Sequence, residues 1–196
     1  MFMLTKVSDL VQIAPEDFGK ASITAIEDNI NAKYANKVVQ KIGLFICLWD
    51  ILWTSEGLIG HGSGLVNVNV EFRMVVFRPF RSEVIVARIM SQTKEGIYLA
   101  TDFFNDIFVP SLELPDGTKF VKEERIWVWK EDDQDMYYDN NEMVRFQVLS
   151  EEWHDQTPTG PVDAEDPAAI KQLSPPYRIV GSMKAAGLGC YLWWEE

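Results

Sequence analysis

Residues 66–80 have the sequence VNVNVEFRMVVFRPF. Every second residue up to Val76 is apolar, and polar side chains fill most of the positions between. This period of two predicts a long strand with one buried face. Pro79 interrupts the pattern, because proline cannot donate to a strand ladder. We therefore predict two domains, 1–80 and 81–196, joined by a short connection.

The chain before this strand predicts one helix together with strands. Apolar residues from Ile23 to Val38 recur at spacings of three and four, which places them on one helix face, and Ser22 can cap the start of that helix. The run LFICLWDILW at 44–53 is rich in β-branched and aromatic residues, which favours a buried strand. The first domain is therefore expected to be α+β, with antiparallel strands.

The chain after Pro79 predicts a small barrel. Short strand candidates are separated by turn signals: SEVIVARIM, EGIYLAT, DIFVP, MVRFQVL, YRIVGSM and CYLWW. Such a series indicates a closed β-barrel with insertions between its strands. The acidic and aromatic stretch IWVWKEDDQDMYYD is one such insertion. Residues 157–176, rich in Pro, Asp and Ala, are predicted to form an exposed loop.

The charge distribution argues against a general nucleic-acid binder. The net charge is −12, and residues 81–196 contain eleven basic against twenty-two acidic side chains. One local exception is a basic cluster between Arg73 and Lys94, which has five cations and a single acid, Glu83. At the domain junction, these cations either hold the two domains together through acidic partners or follow an RNA backbone. The first alternative is slightly favoured.

A search for catalytic chemistry returns no positioned motif. The loop GHGSG lacks the Lys and Ser/Thr of a phosphate cradle, and the acidic run near Asp132 lacks the glycine turn of a calcium loop. Cys47 and Cys190 lie far apart in apolar surroundings, so we expect two packed thiols and no disulfide or zinc site. We predict no catalytic residue, no metal and no cofactor. No apolar run is long enough to cross a bilayer, so we predict no membrane partner.

Several separate stretches resemble the larger stalk subunit of archaeal and eukaryotic RNA polymerases. They are MFMLTKVSDLVQIAPEDFG at 1–19, the strand that contains Gly43, and NVNVEFRMVVFRPFRSEV at 67–84, which is the most specific. The resemblance covers essentially the whole chain. The segments KYANKV at 33–38 and IWVWK at 126–130, with the WWEE ending, resemble the RNA polymerase III branch of that family most, in its fungal form.

The resemblance implies a truncated RNP-like tip domain followed by a C-terminal barrel of the OB or S1 type. It also implies a nuclear, non-catalytic subunit that forms a heterodimer with a smaller helical subunit and attaches to the RNA polymerase III core. Its expected work is in transcription initiation and in contact with emerging RNA. The general S1 pattern has aromatic residues on both sides of a glycine in its second strand. In this chain Glu95 precedes Gly96, and the only aromatic residue is Tyr98, after the glycine. Pro110 also stands where a histidine is common in such domains. We therefore expect only weak binding of single-stranded RNA.

Two sets of residues are the sequence-based candidates for interaction sites. The RNA candidates are basic or aromatic residues on or beside barrel strands: Arg88, Lys94, Tyr98, Phe103, Lys119 and Arg145. The protein-interface candidates are large apolar residues whose burial a partner could complete: Phe2, Leu4, Trp49, Trp53, Trp193 and Trp194.

Two other functions stay open at this point. A free-standing S1-type RNA-binding factor would use the same barrel, but it would not need the first 80 residues. A small hydrolase could use the acidic cluster, but no nucleophile is positioned to support that chemistry.

Overall fold

A computed structural model describes residues 1–131, 134–156 and 174–194. The chain divides into two compact units, Met1–Pro79 and Phe80–Glu196. The first unit combines a helix with an antiparallel sheet, and the second consists mainly of strands. This organisation confirms the predicted α+β fold class with two domains.

The first unit is a twisted sheet covered by one helix. Its elements are β1 (Phe2–Ile13), a 3-10 turn (Pro15–Asp17), α1 (Ser22–Tyr34), β2 (Lys37–Val39), β3 (Gly43–Thr54), β4 (Leu58–Ile59) and β5 (Val66–Phe77). The strand order is β1-β5-β3-β2, and β4 also pairs with β5. The strand predicted from its alternation is β5. It occupies the centre of the sheet, with β1 and β3 antiparallel on its two sides.

The core of the first unit lies between α1 and one face of the sheet. Buried residues of α1 pack against inward residues of β1, β3 and β5: Ala25, Ile26, Ile30, Val11, Ile13, Phe45, Val68, Val70, Phe72, Met74 and Val76. Three details of the helix prediction are wrong. Ile23 is exposed, Ser22 is already helical and makes no capping bond, and Val38 belongs to β2. The helix ends at Tyr34, and the chain reverses at Asn36, where φ is +57°.

The strand prediction for residues 44–53 is right about the strand and wrong about its burial. Only Gly43, Leu44 and Phe45 of β3 are buried. The pairing of β3 with β5 shifts register three times, and each shift leaves one β3 residue without a partner. These β-bulges interrupt the ladder, and in the second half of the strand only Leu48 and Ile51 pack against the core, where they are partly buried.

The described part of the second unit is a barrel with a small additional sheet. Its elements are β6 (Val84–Thr93), β7 (Gly96–Ala100), β8 (Ile107–Pro110), a 3-10 turn (Ser111–Glu113), β9 (Lys119–Val121), β10 (Ile126–Glu131), β11 (Gln134–Tyr137), β12 (Met143–Trp153), β13 (Tyr177–Ser182), β14 (Gly189–Cys190) and a 3-10 helix (Tyr191–Trp194).

Five of these strands close into a barrel of the OB type. The order is β6-β7-β8-β13-β12, and β12 pairs back to β6. The β8–β13 contact is parallel and the other four are antiparallel. Alternate residues such as Ile89, Leu99 and Ile107 fill the interior. Closure of this kind reduces the exposed sheet edges of the barrel itself.

The insertion between β8 and β12 contains the additional sheet, whose strand order is β11-β10-β9. The acidic and aromatic stretch predicted as an insertion therefore contains the paired strands β10 and β11, since Glu131 ends β10 and Asp135 lies in β11. Its Asp132 and Asp133, and residues 157–173 of the loop predicted over 157–176, lie outside the described residues. The CYLWW segment predicted as a strand is a two-residue strand followed by a 3-10 helix.

Candidate functional site

The outer face of β7 and β8 presents two adjacent aromatic rings. Tyr98 and Phe108 are paired residues of these antiparallel strands, and their ring centroids are 4.8 Å apart at an interplanar angle of 41°. The guanidinium of Arg178, on the neighbouring strand β13, lies 5.9 Å from the centroid of Phe108. We call Tyr98, Phe108 and Arg178 the aromatic platform.

Gly96 makes this arrangement possible. A Cβ atom at position 96 would lie 2.1 Å from the carbonyl oxygen of Val109 and 2.9 Å from the ring of Phe108. Only a residue without a side chain can therefore start β7 at this distance from β8. Gly96, which corresponds to the glycine of the S1 pattern, thus lets the Phe108 ring lie against the start of β7.

The platform matches the place where OB-type barrels bind oligonucleotides. That place is the face formed by the second and third barrel strands, here β7 and β8, together with the neighbouring loops. Bases stack on aromatic rings in such sites, while cations follow the phosphates. Arg178 also lies 3.9 Å from Glu152, so its charge is partly balanced within the barrel.

The structure distributes the sequence-based RNA candidates over several places. Tyr98 belongs to the platform, Lys94 lies in the tight turn between β6 and β7, and Phe103 is exposed in the β7–β8 connection. Arg88 and Arg145 lie on the outer face of the adjacent strands β6 and β12. Lys119 lies on β9, in the additional sheet. These six residues therefore do not form one cluster on one pair of strands.

Two platform residues, Phe108 and Arg178, were missed in the sequence. A signal was present in both strands. Ile107 and Val109 are apolar neighbours that point into the barrel, so Phe108 must point outward. In YRIV, Tyr177 and Ile179 are buried by the same alternation, so Arg178 between them points outward.

The face of the first sheet opposite α1, here called the helix-free face, carries two of the interface candidates. Phe2 and Leu4 lie opposite Phe77 and Val75 in the β1–β5 pairing, and both are about half exposed. Phe2 contacts the ring of Phe77, with centroids 5.8 Å apart. These side chains alternate with the residues of β1 that face α1, such as Val7 and Val11.

Trp49 and Trp53 lie on the bulged half of β3. They are 62% and 54% exposed, which is unusual for indoles in a folded domain. A groove of about 560 Å³ lies between this segment and the start of α1. It is lined by Ile23 and Glu27 and by residues 49–54. The residues left unpaired by the three bulges are Ile46, Trp49 and Leu52, so the bulges direct apolar side chains away from the sheet.

Cross-strand ion pairs occupy the centre of the helix-free face. Arg73 on β5 binds both carboxylate oxygens of Asp50 on β3, and Lys6 lies 2.5 Å from Glu71. Hydrogen bonding to Arg73 holds the pKa of Asp50 below its usual value. Arg78, the next cation in the basic cluster, donates to the carbonyl oxygen of Lys41 at 2.8 Å. Both arginines therefore support the fold of their own unit.

The structure separates the two C-terminal tryptophans. The ring of Trp193 packs against Trp129 and Tyr138, with centroid distances of 5.5 and 4.7 Å, and it lies over Gly189. Trp194 is 40% exposed and donates its indole N–H to the carbonyl oxygen of Leu188 at 3.0 Å. Trp193 thus joins the additional sheet to the end of the barrel. Part of the Trp194 side chain stays exposed to solvent.

The remaining chemical groups are dispersed. Cys190 is buried, and this burial raises the pKa of its thiol, but Cys47 is exposed, so the prediction of two packed thiols is wrong for Cys47. Within the described ranges no three His, Cys, Asp or Glu side chains come close enough together to hold a metal ion. None of the helices found in those ranges is long and apolar enough to span a membrane.

Comparisons with known proteins agree with the two-unit division. A family model described as RNA polymerase III subunit Rpc25 matches residues 83–194. A second, described as the SHS2 domain found in the N terminus of Rpb7p/Rpc25p/MJ0397, matches residues 8–64.

Similar proteins extend over the whole chain. DNA-directed RNA polymerase III subunit rpc8 of Schizosaccharomyces pombe is 41% identical, with 100% of each chain covered. The subunit RPC8 of Bos taurus is 37% identical with the same coverage. A more distant relative is DNA-directed RNA polymerase subunit Rpo7 of Saccharolobus solfataricus, which is 26% identical over 50% of this chain and 55% of its own length.

Proposed function

This chain belongs to the family of RNA polymerase III subunit Rpc25, and on that basis we propose that it is a non-catalytic subunit of nuclear RNA polymerase III. The main support is similarity along the full length of both chains to subunits of that enzyme. The nuclear location follows from membership of that complex. The same similarity disfavours a free-standing S1-type factor, since a match to the family also covers residues 8–64 of the first unit.

The proposal is tested by affinity purification of a tagged chain from nuclear extract at about physiological salt. We expect the large catalytic subunits of RNA polymerase III to copurify with it in stoichiometric amounts, and the purified material to synthesise RNA. Recovery of the chain without any polymerase subunit would contradict the proposal.

The chain is further proposed to form the stalk of the enzyme as a heterodimer with a smaller helical subunit, anchored through its first unit. Exposed apolar side chains support this part: Phe2 and Leu4 on the helix-free face, and Trp49 and Trp53 beside the groove. Burying them against a partner would remove an aggregation hazard and stabilise both chains. Coexpression with the smaller subunit should raise yield and melting temperature; equal values with and without it would argue against the heterodimer.

The aromatic platform is proposed to contact emerging RNA weakly. Tyr98 and Phe108 offer stacking surfaces, Arg178 lies beside the Phe108 ring, and Lys94 adds a cation in the turn that leads into β7. The net charge of −12 opposes long-range attraction of a polyanion, so affinity depends on this local site and on the polymerase keeping RNA nearby.

A salt-dependent titration of the heterodimer with single-stranded RNA tests the platform. Tyr98→Ala should weaken binding by about 1 to 3 kcal/mol, the usual value of one base–aromatic stack. Replacing Lys94 and Arg178 together by alanine should flatten the salt slope by about 1.4, at roughly 0.7 for each phosphate contact. Lys122→Ala, in an exposed turn beyond β9, is the matched control. An unchanged affinity in Tyr98→Ala would remove the platform from the RNA site.

A further inference from the structure

The outer face of β6 from Val84 to Met90 is apolar except at Arg88, where a barrel strand in water is expected to be polar. Its inward residues Ile85, Ala87 and Ile89 are buried in the barrel. The outward residues Val84, Val86 and Met90 are 53%, 43% and 56% exposed. Solvent-facing positions of a half-buried strand are normally polar, and a continuous apolar strip on such a face usually marks an interaction site.

The neighbouring strand extends this strip. Val86 is paired with Arg145 of β12, and Arg88 is paired with Met143, which is also exposed. The guanidinium of Arg145 lies 4.3 Å from the ring centroid of Tyr191, which holds the arginine at the edge of the apolar surface. We call the six residues Val84, Val86, Arg88, Met90, Met143 and Arg145 the β6 strip.

The charge of the strip is opposite to the net charge of residues 81–196. Residues 81–196 contain twice as many acidic as basic side chains, but the strip has two arginines and no acid. Neither Arg88 nor Arg145 forms an ion pair within the residues that the structure describes. An aliphatic surface with two available guanidinium groups is complementary to aliphatic side chains flanked by carboxylates.

The shape of the strip indicates which kind of segment can bind there. β6 pairs with β12 over Val84–Arg88 and with β7 over Arg88–Thr93, and the strip consists of side chains on the outer face of these strands. A segment that covers the strip therefore packs against side chains on the face of the barrel, which suits a helix. From Val84 to Met90 the strip is about 20 Å long at roughly 3.3 Å per residue. A helix covers that length with about 13 residues at 1.5 Å each, or between three and four turns.

We propose that the β6 strip binds an amphipathic helix of a partner protein whose aliphatic stripe is flanked by Asp or Glu. Protein is favoured over RNA because the strip offers Val and Met side chains for contact, while the paired rings suited to stacking lie on β7 and β8. Arg88 and Arg145 thus serve protein recognition rather than RNA. The test rests on the proposed function, since it is carried out in the assembled polymerase.

The first experiment places a photoreactive benzophenone amino acid at position 86 or 90 of the full chain, and at exposed Glu123 as a control. After irradiation of purified RNA polymerase III, the crosslinked peptides are sequenced. We expect positions 86 and 90 to crosslink to one helical segment with aliphatic residues at spacings of three and four and acids beside them. Crosslinks to RNA, to a segment without that pattern, or to nothing would overturn the proposal.

The second experiment reverses the charges. Replacing Arg88 and Arg145 together by glutamate should weaken retention of the crosslinked partner at least about tenfold, as expected when buried opposite charges become like charges. Exchanging the partner's facing acids for arginine should restore it, and Lys122→Glu should have no effect. An unchanged retention with a correctly folded double variant refutes the β6 strip. Failure of the wild-type chain to copurify with polymerase refutes the proposed function instead.

Discussion

Trp193→Ala should destabilise the second unit strongly, and Trp194→Ala should do so only weakly. Trp193 makes two aromatic contacts, at 5.5 Å with Trp129 and 4.7 Å with Tyr138. Each such pair is worth about 0.5 to 1.5 kcal/mol beyond area burial, and full truncation of a buried tryptophan costs about 3 to 5 kcal/mol. Because Trp193 is only partly buried, we expect a loss of about 3 kcal/mol. Trp194 has one indole hydrogen bond, worth about 1 kcal/mol.

Thermal unfolding of the full-length chain, followed by circular dichroism and calorimetry, measures this difference. The transition assigned to the second unit should fall by about 10 °C in Trp193→Ala and by about 3 °C in Trp194→Ala. The transition of the first unit, which contains neither residue, is the internal control. Equal shifts for the two variants, or a shift under about 3 °C for Trp193→Ala, would refute the reasoning that Trp193 joins the additional sheet to the barrel.

Two further predictions concern stability. Gly96→Ala should cost about 2 to 4 kcal/mol in a urea titration, because its Cβ would meet the Val109 carbonyl oxygen at 2.1 Å. Gly187→Ala has open space but a φ of +83° and should cost only about 1 kcal/mol, and a Gly96→Ala cost no larger than this would contradict the steric argument. At Asp9, partial burial alone would raise the pKa, but hydrogen bonds from Lys33 and Tyr34 bring it below its usual value. The stabilisation from Asp9 is therefore present above the unfolded-state pKa and disappears as pH falls through the folded-state pKa. Asp9→Asn should flatten the acid side of the stability–pH curve, and an unchanged curve would exclude this role.

The strand pattern of the fold could be predicted because alternation is a local signal. The central strand β5 follows directly from its apolar positions between Val66 and Val76. The barrel strands were also visible as short apolar segments between turns. The order in which they close, with β8 parallel to β13, depends on contacts between distant segments and is not encoded in any single one.

The errors come from features that local patterns do not encode. Trp49 lies at a β-bulge of β3 and Trp53 pairs with Glu71, and both are exposed, although a run of apolar residues predicts burial. Ile23 continues the helical spacing, but it is exposed in the groove beside the second half of β3. The RNA candidates were chosen for charge and proximity to strands, so Arg88 and Arg145 were grouped with Tyr98, although they lie on different strands of the barrel.

The most direct test of the central claim compares two reactions of RNA polymerase III that has been depleted of this chain. If the chain is non-catalytic, as proposed, the depleted enzyme should extend a primed transcript at the normal rate and should fail to initiate from a promoter. Adding back the heterodimer should restore initiation. Loss of primed extension on depletion, or promoter-dependent initiation that is normal without the chain, would contradict its assignment as a non-catalytic subunit that acts in initiation.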